Sequence, residues 1–174
     1  MKKLPIGKQE FKGLIEGGFL YVDKTQYLLS LAQSTVPIFL SRPRRFGKSL
    51  MINTFKELFQ GEKELFKETY AYENWDFQQT HPVIRLDLSK AGGDRVEVIA
   101  NKLLELIYNA AEDLDITLRE TPYPDIAFDR LIRKAGKGTP VVLLIDEYDA
   151  PVLNNLKNKT PYGRIKTEAI VVTT

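Results

Sequence analysis

Residues 141–147 read Val141-Val142-Leu143-Leu144-Ile145-Asp146-Glu147. Five consecutive apolar residues leave no polar face to point at water. Such a run fits a strand covered on both sides, as in a parallel sheet flanked by helices. Two carboxylates then end the strand. Unpaired charge is costly to bury, so these acids either emerge into solvent or face a cation.

A second stretch supplies a partner for them. The apolar run 36–40 leads into Ser41-Arg42-Pro43-Arg44-Arg45-Phe46-Gly47-Lys48-Ser49, and a helical pattern runs on from Leu50 to Phe59. Strand, tight basic loop ending in Gly-Lys-Ser, and helix form the context of a phosphate-binding P-loop. The loop turns main-chain N–H groups inward, and the helix start adds unpaired N–H groups and the positive end of its dipole. In that reading Arg42, Pro43, Arg44, Arg45, Phe46, Gly47, Lys48, Ser49 and Leu50 surround the phosphates. Lys48 reaches the β- and γ-phosphates, and the Ser49 hydroxyl ligates Mg²⁺. The usual first glycine of such a loop is replaced by Arg42, which is stiffer and precedes a proline. Arg44 and Arg45 face the phosphates or form a solvated basic turn.

The chain has 174 residues, enough for one domain with a real core. A net charge of +2 argues against a strongly basic nucleic-acid binder. With no cysteine and one histidine, disulfides and thiolate metal sites are excluded, and histidine-dependent triads have little to build on. The lack of cysteine fits a reducing compartment such as the cytoplasm. No apolar run approaches ~20 residues, so no membrane helix is indicated.

The remaining elements follow from periodicity. Gly7, Gly13, Gly17 and Gly18 make the lead irregular, with a short helix near 9–16. Asp23 caps a helix over 24–33 with Tyr27, Leu28 and Leu31 on one face. Asp23-Lys24-Thr25 either packs the lead on the sheet edge or shapes a ligand pocket. Residues 62–75 hold one short helix and a loop, with Trp75 and Phe77 plugging the core. Pro82 to Ser89 is a strand with Asp87 and Ser89 at its carboxyl end. His81 belongs to a turn beside it. Asp94 and Glu97 resemble a capping box, followed by a helix presenting Val96, Ile99, Leu103, Leu104, Ile107 and Tyr108. Residues 112–115 are a solvated acidic helix end. Pro124-Asp125 opens a helix with Ile126, Phe128, Leu131 and Ile132 inward, stopped at Gly136.

The two constellations reinforce one another. Both sit at carboxyl ends of apolar strands, where ligands bind in open α/β sheets. One strand and several helices lie between them, enough to set the acidic strand beside the loop strand. Asp146 then holds the metal ion and Glu147 orients or deprotonates a water.

The combination of Tyr21-Val22-Asp23-Lys24-Thr25, Ser41 to Ser49, and Leu144-Ile145-Asp146-Glu147-Tyr148-Asp149-Ala150-Pro151 resembles the AAA-ATPase-like family. The resemblance runs from about residue 4 to about 156, and an arginine at the first glycine position is in pattern there. It implies an α/β P-loop three-layer sandwich with a mainly parallel sheet, an added strand between the two motifs and a catalytic glutamate. Lys48 and Ser49 would belong to Walker A, with Lys48 catalytic as well as phosphate-binding. Asp146 and Glu147 would belong to Walker B, Ser49 and Asp146 on the metal, with ATP and Mg²⁺ as cofactors.

Relatives usually continue into a sensor strand, a helical part and often a PD-(D/E)XK-type nuclease domain. Here residues 1–156 form the P-loop part and 157–174 a diverged or truncated tail, which leaves the sheet incomplete. Residues 169–174 could be a strand ending in hydroxyls, crudely like a sensor strand. Arg130, Arg133 and Arg164 are the candidates for an arginine finger. The implied partners are ATP, a second copy, or a nuclease-like domain outside this chain; nothing in these residues suggests nucleic acid or membrane. Three outcomes compete: an Mg²⁺-dependent ATPase, a nucleotide-gated binding module without turnover, and an inert remnant with an exposed sheet edge.

Overall fold

A three-residue strand and a buried five-residue one frame the sheet that carries the rest. The computed structural model describes residues 2–34, 36–41, 46–93, 95–150 and, as main chain, 169–173. In chain order come α1 (Phe11–Glu16), α2 (Thr25–Ala32), β1 (Ile38–Leu40), α3 (Lys48–Phe59), α4 (Ala71–Asn74), β2 (Val83–Asp87), α5 (Val96–Glu112), α6 (Pro124–Gly136), β3 (Val142–Asp146) and β4 (Ala169–Thr173). Single 3-10 turns at Lys63–Phe66 and Leu88–Ala91 complete it. The stretch 62–75 thus holds a 3-10 turn and a short helix, rather than the one helix its pattern suggested.

The sheet order is β1-β4-β3-β2. β2 and β3 pair in parallel, while β4 is antiparallel to both β1 and β3. β1, β2 and β3 therefore run the same way, and their carboxyl ends share one edge. The acidic strand is not the neighbour of the loop strand, as the connection length had suggested. β4 lies between them. Leu40 faces Ala169, Ala169 faces Asp146, and Asp146 faces Asp87, so these four residues form one row across the sheet. At the usual strand spacing the loop strand ends about 10 Å from Asp146.

Alternation sends successive side chains to opposite faces. Val83, Val142 and Leu144 join Phe55, Leu58, Phe59, Phe66 and Phe11 in the core under α1, α2 and α3. Ile84, Leu86 and Leu143 pack on the other face with Ile107, Ala111, Ala127 and Leu131 from α5 and α6. These are the helical layers that the apolar run of β3 required. Asp146 and Asp87 fall on the α3 face, because Asp146 follows Leu144 by two and Asp87 follows Val83 by four.

Several helix faces differ from the periodic reading. Tyr27 is 71% exposed, and Leu28 and Leu29 are the buried residues of α2. Val96 is 78% exposed because it opens α5 ahead of the core, whose buried positions are Ile107, Ala110 and Ala111. Ile126 is 38% exposed, while Ala127 and Leu131 point inward. Arg95 is the residue preceding α5 and its side chain makes no cap. The capping box expected at Asp94 lies outside the described residues.

Phe77 is buried against Phe66, and half-buried Trp75 donates its indole N–H to the Leu58 carbonyl at 3.2 Å. Both are core plugs as expected. His81 stands edge-on to Phe59 at the amino ends of the strands, far from the row of acids.

The lead is tied down by two side chains. Asp23 accepts the Thr25 N–H on Oδ1 at 2.8 Å and the Tyr70 N–H on Oδ2 at 2.7 Å. Buried Thr25 accepts the Ala71 N–H at 3.0 Å. Asp23 and Thr25 therefore join the start of α2 to the start of α4. Asp23→Ala removes the acceptor from two helix-start N–H groups and should cost about 1–2 kcal/mol. Urea denaturation followed by circular dichroism measures it.

Candidate functional site

Gly47 precedes α3 with φ +77°, a left-handed conformation that a glycine adopts without Cβ strain. Its carbonyl accepts the Met51 N–H at 2.9 Å and so starts the helix. Having no side chain, Gly47 cannot cap the N–H groups of the first turn, and that turn carries no acid. A twelve-residue helix thus begins with donors and positive dipole facing the sheet edge. Lys48, its first residue, is only 6% exposed. Arg42, Pro43, Arg44 and Arg45 lie outside the described residues.

One residue on, the Ser49 hydroxyl lies near enough to the Asp146 carboxylate to favour its charged form. The structure therefore brings the loop helix and the acidic strand together on one side of the molecule. Asp146 is buried, and its Oδ1 also accepts the Glu147 N–H at 3.1 Å. Burial pushes its carboxyl above the usual carboxylate range. The Ser49 hydroxyl and the Arg85 guanidinium oppose that rise, while Asp87 and Glu147 add to it. A bound cation reverses the penalty of keeping this group charged.

Glu147 is half-buried and has φ +50°, rare for a residue with a Cβ. Its main chain leaves the strand in a left-handed turn, closed by the Ala150 N–H on the Glu147 carbonyl at 2.9 Å. Backbone strain of this kind gathers at working sites.

Beside the start of α3 is a largely apolar cavity of about 240 Å³, bounded by Phe46, Gly47, Lys48 and Leu50. Its other walls include Tyr21, Val22, Lys24, Tyr27, Leu31, Met51 and Thr54. Lys24 lines this cavity, while Asp23 and Thr25 join α2 to α4 and not to the sheet edge on which the lead was expected to pack. Tyr21 stands edge-on to Phe11, and burial raises the pKa of its hydroxyl, with nearby Thr54 opposing the rise. Neither Asp146 nor Glu147 lines this cavity.

Periodicity alone did not single out Arg85 as part of this neighbourhood. The signal was present: Arg85 and Asp87 share a face by alternation, and the parallel register sets Asp87 against Asp146. Among the candidate fingers, Arg130 donates to the Arg119 carbonyl and Arg133 pairs with Asp129, both on or beside α6. Arg164 lies outside the described residues. The sensor expectation for 169–174 meets an opposite direction of travel. β4 runs antiparallel, so Thr173 sits opposite Val142, at the far end of β3 from Asp146.

Among the described residues no three carboxylate or imidazole groups gather as a metal cage. A hydroxyl and one carboxylate are instead a donor pair of the kind Mg²⁺ takes, leaving its other positions to water and phosphate. No described helix is long and apolar enough to cross a membrane.

An α/β sheet with a glycine-led helix start facing acids on its carboxyl edge defines a nucleotide-binding class of domain. The chain belongs to the AAA-ATPase-like family: the family model described as Predicted AAA-ATPase matches residues 5–171. It is also similar to a protein of Azotobacter chroococcum mcd 1 described as an uncharacterized protein in the vnfD 5' region. The two are 42% identical over 160 residues, covering 89% of this chain and 30% of that protein. The chain thus spans under a third of that relative's length. No solved structure matches it.

Proposed function

We propose that this chain holds the P-loop part of an ATPase that binds ATP with Mg²⁺ and hydrolyses it, with β4 in its sheet as well as the elements of residues 1–156. The observation that carries this reading is the approach of the Ser49 hydroxyl to the Asp146 carboxylate. It joins the two sequence constellations at the atoms expected to share a metal ion. Mg-ATP supplies the transferable phosphoryl group and the charge that offsets it. Main-chain N–H groups at the start of α3 bind the phosphates, and Lys48 neutralises the β- and γ-groups. Ser49 and Asp146 hold the ion. Glu147 orients the attacking water and takes its proton. The apolar cavity walled by Tyr21, Tyr27 and Met51 takes the base. The position of β4 between β1 and β3 supports the added-strand class of P-loop protein.

A second reading is favoured by one observation. The described β4 carries its terminal hydroxyl residue to the wrong end of the sheet for a sensor. A module lacking that group binds nucleotide as a switch and releases no phosphate. The relative's greater length makes a further domain, such as the nuclease-like one, a proposed partner only.

The test of binding is thermal. A ligand that binds only the folded form at about 100 times its Kd adds about 2.7 kcal/mol. For a chain of this size that raises Tm by about 5–10 °C. A Tm indifferent to Mg-ATP rejects the site, and a raised Tm without phosphate release selects the switch.

A further inference from the structure

A second cavity, of about 380 Å³, lies between α3, β2 and α5. Helical spacing puts its α3 residues, Lys56 and Gln60, on the opposite side of that helix from Leu50, Met51 and Thr54 of the apolar cavity. Its chemistry is different too. Three cations from three elements converge on it: Lys56 from α3, Arg85 from β2 and Lys90 from the turn after β2. Among the described residues Arg85 has no ion pair within salt-bridge distance, and its buried Nε has no hydrogen-bond acceptor. A buried guanidinium donor without an acceptor is costly, and this one belongs to a residue that lines an open space.

The floor adds further donors. β2 ends the described sheet. The Val142 N–H binds the Pro82 carbonyl, so in the parallel ladder Ile84 and Leu86 turn their main-chain groups toward β3. Those of Arg85 and Asp87 point to the free edge. The opposite wall is α5, with Asn109 and Asp113, which can accept from or donate to hydroxyls. One carboxylate oxygen of Asp87 is already occupied by the Ser89 N–H at 3.0 Å.

We propose that this groove between α3, β2 and α5 binds a small phosphate monoester carrying hydroxyls, anchored on Arg85. The guanidinium fork and the two lysines suit phosphate oxygens. The amide and carboxylate of α5 suit a polyol. The volume exceeds that of a bare phosphate ion. This site is defined by its own lining and does not rest on the ATP reading; it is opposite the apolar cavity on α3 and adjoins the Asp146 edge, since Asp87 of its lining pairs in register with Asp146.

The experiment separates the two sites by working in the Lys48→Ala protein, where P-loop phosphate binding is disabled. Ribose 5-phosphate, inorganic phosphate and ribose are titrated calorimetrically into the full chain. Ribose 5-phosphate should bind, inorganic phosphate about tenfold or more weaker, and ribose not measurably. Adding Arg85→Gln should weaken ribose 5-phosphate by about tenfold or more, with Lys56→Gln acting in the same direction should the first variant misfold. Absence of ribose 5-phosphate binding overturns the proposal. Binding that survives both substitutions in folded protein overturns it as well. Equal affinity for inorganic phosphate overturns the monoester assignment.

Discussion

Lys48→Ala should weaken ATP binding by about a hundredfold, or about 3 kcal/mol, while Glu147→Gln leaves the Kd unchanged and abolishes turnover. The two residues enter the proposed site differently. Lys48 is a buried first-turn cation beside Gly47, and ground-state nucleotide needs its charge. Glu147 acts on water, and a positioned general base is worth about 10²–10⁴ in rate. Glutamine keeps its shape and hydrogen-bonding capacity without the basicity. Equilibrium binding of a fluorescent ATP analogue and a phosphate-release assay read the two effects separately. Unchanged binding in the Lys48 variant would remove the P-loop reading. Equal turnover in wild type and Glu147→Gln would leave binding intact and take away the assigned base.

Phe66→Ala should destabilise the fold by about 3–5 kcal/mol. Phe66 is fully buried, with Phe11 at 4.8 Å and Phe77 at 5.3 Å between ring centroids. It links α1, the turn before α4 and the loop leading to β2. The loss combines the transfer of the ring with the cavity left behind. Against a typical total of about 5–15 kcal/mol, that is a large fraction. Phe66→Leu should cost less, because most of the volume is kept. Urea midpoints for the three proteins give the order directly. A Phe66→Ala protein melting like wild type would mean that this aromatic cluster forms no cooperative core.

The parts of the fold legible in sequence were those with a strong local signature. The apolar run 141–145 required cover on both faces, and α3 on one side with α5 and α6 on the other provide it. The Gly-Lys-Ser loop led into a helix starting at Lys48, as its residues dictate. Strand neighbours were less legible. Which strand lies beside β1 depends on long-range pairing, and nothing local to 38–40 or 142–146 encodes the insertion of β4. Helix faces failed at their ends, at Val96 and Ile126, because the first turn of a helix overhangs the core whatever its pattern. Spacing places Tyr27 inward, yet it is largely exposed and lines the cavity beside the start of α3. Arg85 escaped notice because its role depends on register with β3, a relation between two strands that no window of sequence contains.

The left-handed backbone at Glu147 bears on how this protein would respond to selection for heat resistance. Glycine, or asparagine, relaxes such a conformation, by about 1 kcal/mol in favourable cases. A thermostability screen blind to chemistry would therefore favour replacements at a position where the proposed reaction needs a carboxylate. Durability and turnover compete there for the same residue, so hardened variants from such a screen should include ones that hold nucleotide indefinitely.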